Sequence, residues 1–136
     1  MPMAYLNYNP NPLGKNVGDC VIRCLTLALD TTWKGAYVQL CLQGLKMYDM
    51  PSSNRVWSAL LTSNGYTRHI LPNECPDCYT VRDFAKEYSK GKYVVATGSH
   101  VVMIIDGNYM DSWDSGDEPI IFYFERDNDV QSVSTE

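Results

Sequence analysis

Residues able to perform nucleophilic catalysis occur in this chain in local contexts that suit the task. Cys20 follows Gly18-Asp19 and opens the apolar run Val21, Ile22, Cys24, Leu25, Leu27, Ala28 and Leu29, which predicts a helix buried on nearly every side. At the start of such a helix the first backbone N–H groups lack intrahelical partners and the dipole favours negative charge. A thiolate is favoured there, and the amide of the cysteine itself points where an oxyanion would form. His100 follows Gly98-Ser99 and precedes the apolar run Val101 to Ile105, so its imidazole is expected at the end of a sheet. A carboxylate beside it would fix its tautomer and stabilise its protonated form, giving nucleophile, base and orienter. The competing expectation is that Cys20 is the first core residue of a buried helix, because unreactive cysteine packs as a small hydrophobe.

Two carboxylates are available in Tyr109-Met110-Asp111-Ser112-Trp113-Asp114, and the strand register decides between them. A loop over 106–108 pairs 105 with 109 and 100 with 114, which sets Asp114 opposite His100. A Gly107-Asn108 turn instead puts Asp111 and Trp113 on the His100 face, with Asp111 displaced about 13 Å along the strand. Distance favours Asp114, and both stay candidates.

The elements that must position these groups follow from the same reading. Pro2, Pro10 and Pro12 among Asn7, Asn9, Asn11 and Asn16 exclude a regular helix or a central strand and predict an extended arm over 1–18. Thr31 or Thr32 caps a second helix with Trp33, Ala36, Tyr37, Leu40, Cys41 and Leu45 on its apolar face. Pro51-Ser52-Ser53 opens a third, through Val56, Trp57, Leu60 and Leu61, closed by Asn64-Gly65, with a strand over 66–70 after it. Thr80 caps a short helix that stops at Gly91. Runs of β-branched and aromatic residues over 93–97, 100–106, 109–114 and 120–126 then predict an antiparallel meander, its last strand buried on both faces. Helices followed by strands make the chain α+β, with N-terminal helices packed on a C-terminal antiparallel sheet. One domain over 1–126 and a flexible acidic tail over 127–136 are expected.

Composition narrows the function. The 136 residues suit one modest core, and 45% hydrophobic against 20% charged residues exclude global disorder. Eleven Lys and Arg against sixteen Asp and Glu give a net charge of −5, with the cations scattered singly, which argues against a nucleic-acid partner. No apolar run approaches the roughly 20 residues of a membrane span, and the N-terminus lacks the charged and apolar regions of a signal peptide. A cytoplasmic protein without membrane contact is expected. The cysteine count of five is odd, so reduced thiols are expected, with Cys24 and Cys41 as packing residues. Cys75-Pro76-Asp77-Cys78 with His69 has the spacing of part of a zinc site but lacks a fourth ligand. A small zinc-stabilised binding protein is therefore one alternative; otherwise no cofactor is implied.

Gly18-Asp19-Cys20 opening an apolar helix, Ser99-His100-Val101-Val102 starting a late strand, and Asp111-Ser112-Trp113 on the next resemble the papain-like cysteine peptidase fold in compact form. The order Cys, His, then Asn or Asp is that of papain, the staphopains and the bacteriocin-processing peptidases, and the pattern is also similar to that of small proteins of bacteria and their phages. The resemblance implies a cysteine-dependent peptidase or amidase acting on a peptide or protein through an acyl-enzyme, with Cys20 as nucleophile and His100 as general base. It maps the Asn-Ser-Trp segment of the family onto Asp111-Ser112-Trp113, with Trp113 shielding the pair from water, whereas the hairpin count favours Asp114. The Gln that supplies an oxyanion donor in the family has no counterpart near Gly14, and Asn16 is the nearest amide. That departure favours the other alternative, a non-catalytic papain-like domain that binds a protein or peptide. The resemblance covers about half of the chain, and the middle lies outside it.

Overall fold

The computed structural model describes residues 5–71 and 79–127. The order is β1 (Tyr5–Asn7), α1 (Cys20–Ala28), α2 (Trp33–Met47), α3 (Asn54–Ser63), β2 (Tyr66–Ile70), α4 (Val81–Glu87), β3 (Lys92–Ala96), β4 (Val101–Ile105), β5 (Asn108–Asp111) and β6 (Phe122–Arg126). The chain is α+β, and its strands form one six-stranded sheet in the order β1-β5-β4-β3-β6-β2.

Local chemistry accounts for the helix ends. The Thr32 hydroxyl accepts from the Gly35 amide at the start of α2, and Ser53 accepts from Arg55 at the start of α3. Thr80 and Asp83 close a reciprocal capping box on α4. The outer amides of α4 are also used, since Val81 donates to the Glu118 carbonyl and Arg82 to that of Gly116.

The central strands are apolar on both faces because both faces are covered. Val94, Ala96, Val101, Met103, Phe122 and Phe124 pack under α1, α2 and α3. Val95, Val102, Ile104, Tyr109, Ile120 and Tyr123 pack against Val81, Phe84 and Ala85 of α4. Trp57 anchors the larger core, stacking on Phe122 at 5.9 Å and meeting Phe124 edge-on at 5.7 Å.

The sheet departs from the expected meander in two ways. β3, β4 and β5 run as a meander, but β6 returns to pair with β3. The connection over 112–121 is too long for a tight turn, and it crosses beside the start of α4, where Pro119 bridges to Thr80. The arm expected over 1–18 also contributes β1, which pairs with β5 in parallel, Tyr5 with Tyr109 and Asn7 with Asp111. At the other edge, the strand read over 66–70 forms as β2 and pairs with β6.

α2 turns most of its expected face inward, with Ala36 and Leu40 buried and Trp33 and Cys41 half-buried. Its fully buried residues are Ala36, Leu40 and Gly44, and the chain after the helix passes close over Gly44, where a Cβ would lie 2.9 Å from the Asp49 carbonyl oxygen. Tyr37 and Leu45, expected inside, are exposed. The tail beyond Asp127 lies outside the described residues, and Asp127 itself donates its amide to the Gly65 carbonyl. Among the described residues no helix is long and apolar enough to cross a membrane.

Since Trp57 is 1% exposed and fills the space between α3 and β6, Trp57→Ala should destabilise the fold by about 3–5 kcal/mol. The urea midpoint measures this, with an unchanged slope separating lost packing from a changed unfolded state.

Candidate active site

Cys20 is the first residue of α1, half-buried, with Asp19 at the N-cap. An aspartate there ordinarily accepts from the first-turn amides, but Asp19 makes no such bond. Its carboxylate is turned inward to Arg23, which donates Nη1 to Oδ1, and to Trp33, whose Nε1 donates to Oδ2 at 2.9 Å. The amides of the first turn are thereby left without a side-chain acceptor beside the Cys20 sulfur.

His100 lies at the mouth of β4, on a turn closed by the Thr97 amide donating to the His100 carbonyl at 2.8 Å. β4 and β5 pair Met103 with Met110, Ile104 with Tyr109 and Ile105 with Asn108, so the hairpin turns on Asp106-Gly107. Both residues have positive φ, 50° and 82°, as a type I′ turn requires. Projected along the strands, this register sets Trp113 across from His100 and leaves Asp111 only two residues, about 6.7 Å, away along the strand. The Asp111 carboxylate meets the ring, with Oδ2 at 2.6 Å from His100 Nε2.

Asp111 therefore orients the histidine, and the expectation that favoured Asp114 is corrected. It assumed a loop over 106–108, whereas the turn is shorter and begins at Asp106. Asp114 is half-exposed and accepts from the Tyr109 hydroxyl at 2.7 Å and the Gly116 amide at 3.1 Å. It holds the loop after β5 and does not touch His100.

Asp111 is 1% exposed and its carboxylate is saturated. Oδ2 accepts from His100 and from the Ser115 hydroxyl at 2.6 Å, and Oδ1 accepts from Arg23 Nη2 at 2.9 Å and the Ser112 amide at 2.8 Å. Burial alone would raise its pKa, but the bonds from His100 and Ser115, the imidazolium charge and the Ser112 amide outweigh burial and hold it below the usual carboxylate range. An ionised carboxylate only accepts, so Nε2 carries the proton and Nδ1 is the nitrogen left for Cys20.

The sulfur of Cys20 is within hydrogen-bonding reach of the His100 ring and of the Val101 backbone. Burial pushes this thiol up, yet those bonds and the charges of His100 and Arg23 bring it below its ordinary value. For His100 burial works downward, and the bonds to Asp111 and Cys20 with their negative charges prevail, raising it to about 9. Cysteine down and histidine up is the pattern of a thiolate–imidazolium pair. Cys24, one turn further along α1, is pushed well up by full burial and suits the packing role expected of it. The Trp113 ring lies 5.0 Å from that of His100, tilted by 37°.

The remaining sequence candidates are placed elsewhere. Asn16 is exposed, and its Oδ1 lies 3.5 Å from Asn9 Nδ2. His69 stacks on Tyr123 and pairs with Glu125 at 3.2 Å. Cys75 and Cys78, the other expected zinc ligands, lie outside the described residues. Among the described residues no group of three His, Cys, Asp or Glu side chains is placed to hold a metal ion. Arg23, Ser115, Asp19 and Trp33 were not anticipated. Asp19 and Arg23 did carry a signal, as opposite charges at i, i+4 bracketing the first turn of an otherwise apolar helix.

The two carboxylates can be told apart at His100, one of only two histidines in the chain. In a proton NMR titration its ring should change charge near about 9 in the native protein and about a unit or more lower in Asp111→Asn. Asp114→Asn should leave it in place; the reverse pattern would restore the longer-loop register. No family model, curated protein or solved structure matches this chain.

Proposed function

We propose that this protein is a cysteine-dependent hydrolase of papain-like type, acting on a peptide or other amide through an acyl-enzyme. The observation that carries this reading is the buried Asp111 carboxylate holding the His100 ring at 2.6 Å, with the Cys20 thiol brought below its ordinary value by that same histidine. The order of its parts supports it too, with Cys20 opening the first helix, His100 entering a sheet strand and Asp111 ending the next.

The Cys20 thiolate attacks the carbonyl carbon, and the carbonyl oxygen takes up the negative charge facing the uncapped amides of α1. Collapse breaks the C–N bond as His100 Nδ1 gives its proton to the leaving amine, leaving a thioester on Cys20. His100, now neutral, takes a proton from water, whose oxygen attacks the thioester. The acid leaves and the thiolate–imidazolium pair re-forms. Throughout, Asp111 keeps Nε2 protonated and the ring in place, and Trp113 covers the His100 ring against solvent.

Iodoacetamide labelling across pH, with the modified residue mapped, tests the nucleophile. Cys20 should be alkylated in the native protein with a midpoint below the about 8.5 of a free thiol, and the midpoint should rise in His100→Ala. Incubation with a peptide pool should then yield fragments that Cys20→Ser does not produce. A native Cys20 inert until denaturation would overturn the assignment. Rapid alkylation without any cleavage would instead favour a peptide-binding domain.

A further inference from the structure

Arg23 is the one guanidinium in the described site, and the acyl-transfer steps make no use of it. It is 6% exposed, on the second turn of an otherwise apolar helix, where arginine is seldom buried without a specific task. Its fork spans two elements. Nη1 donates to Asp19 beside the nucleophile, and Nη2 donates to Asp111 Oδ1 at 2.9 Å, on the opposite oxygen from the one that holds His100.

We infer that Arg23 is a positioning residue that sets the pH range in which the Cys20–His100 pair is charged, by sharing the Asp111 carboxylate with His100 and presenting its cation to Cys20. This rests on the hydrolase reading. Two effects carry it, both pointing the same way. A fixed cation near Cys20 favours the thiolate. A cation on Oδ1 takes part of the Asp111 charge, so the carboxylate pulls less on the imidazolium proton at Oδ2. Without Arg23, thiolate formation would begin at higher pH and His100 would release its proton at higher pH.

The charged and titratable groups around the guanidinium are Asp19, Cys20 and Cys24 of the α1 segment, Asp111 of β5 and His100 before β4. Trp33, at the start of α2, contributes only the indole N–H on Asp19. Tyr8 borders the group from the arm. Its amide donates to the Asp111 carbonyl, and its hydroxyl meets that of Thr26, which bonds the Arg23 carbonyl.

Arg23→Met alone would strand two buried carboxylates, so the informative variants are Arg23→Lys, Asp19→Asn and the pair Asp19→Asn/Arg23→Met. Each is compared with the native protein by the pH profile of iodoacetamide alkylation at Cys20 and by the NMR titration of His100, with circular dichroism reporting the fold. Measured against Asp19→Asn, the paired variant should move both midpoints upward by about one unit. Arg23→Lys should keep them nearer the native values, because the charge persists while the fork is lost. Asp19→Asn removes an anion and leaves Arg23, so its alkylation midpoint should fall. Folded variants whose profiles overlay the native one would overturn the inference and leave Arg23 as a structural strut. Should the paired variant fail to fold, Asp19→Asn decides by itself, since an unchanged or raised midpoint there contradicts the proposal. A native profile with the midpoint of an ordinary thiol would defeat the hydrolase reading instead, so the two failures are distinct.

Discussion

The turn at Asp106-Gly107 fixes the register of β4 against β5, and the site depends on that register. Two residues at positive φ twist the hairpin in the sense the strands require. Asp106 is further pinned by Gly91, whose amide donates to its carboxylate at 2.8 Å while its own amide donates to the Gly91 carbonyl at 2.9 Å. A register one residue longer would turn every β5 side chain to the opposite face. Asp111 would then leave His100, and Arg23 would lose its second carboxylate. The chemistry at one end of the sheet is thus set by a turn at the other.

That geometry puts several charges into a protected place, which folding opposes unless each finds partners. Asp19, Arg23 and Asp111 are all under 7% exposed, and among the described residues no buried side-chain nitrogen or oxygen is left without a partner. Replacing such a group by apolar residues could make a more stable protein. What the charges provide here is definition: Asp111 has one acceptor oxygen for the helix and one for the histidine, so the first turn of α1 and the end of β5 are held in a single relative placement. Turning Asp19 inward has a second effect, because the helix N-terminus keeps its uncompensated amides beside the sulfur. The ordinary capping role is given up at the residue next to Cys20.

Much of the scaffold could be read from local pattern. Caps at Thr32, Ser53 and Thr80 and the strand over 66–70 are short-range features, and short-range chemistry decides them. The placement of Cys20 and His100 was legible for the same reason, each marked by the change from glycine-rich turn to apolar run. The third member was not, since a carboxylate on a strand is placed by the turn. Asp106-Gly107 is a strong two-residue hairpin signal, and neither the loop over 106–108 nor the Gly107-Asn108 turn weighed from the sequence used it. The Asp19–Arg23 pair is local, but the second bond of Arg23 was not legible because Asp111 lies 88 residues away; Ser115 is close to Asp111 in sequence, yet it sits in an irregular loop whose path no periodic pattern marks. α2 misled only in part: Ala36 and Leu40 are buried as read, but Tyr37 and Leu45, chosen for apolar bulk, face outward, while Gly44 is buried against the chain at Asp49 and Pro51.

The second core, under α4, belongs to the same arrangement. After β5 the chain leaves the sheet and must deliver Ser115 back to Asp111 before reaching β6. Arg82 of α4 holds that path. Its amide donates to the Gly116 carbonyl, its guanidinium pairs with Asp117 and lies 3.7 Å from Asp114, and Asp114 is fixed in turn by Tyr109. Gly116 fits because it has no side chain, since a Cβ there would come within 2.6 Å of both Arg82 Nη2 and the Tyr109 hydroxyl oxygen. Ser115, fully buried, is then placed to donate to the oxygen of Asp111 that His100 also uses. Exposed ion pairs contribute little energy singly, so this outer cluster acts through geometry: α4 restrains a loop, the loop presents a hydroxyl, and the hydroxyl helps hold the carboxylate that orients the histidine.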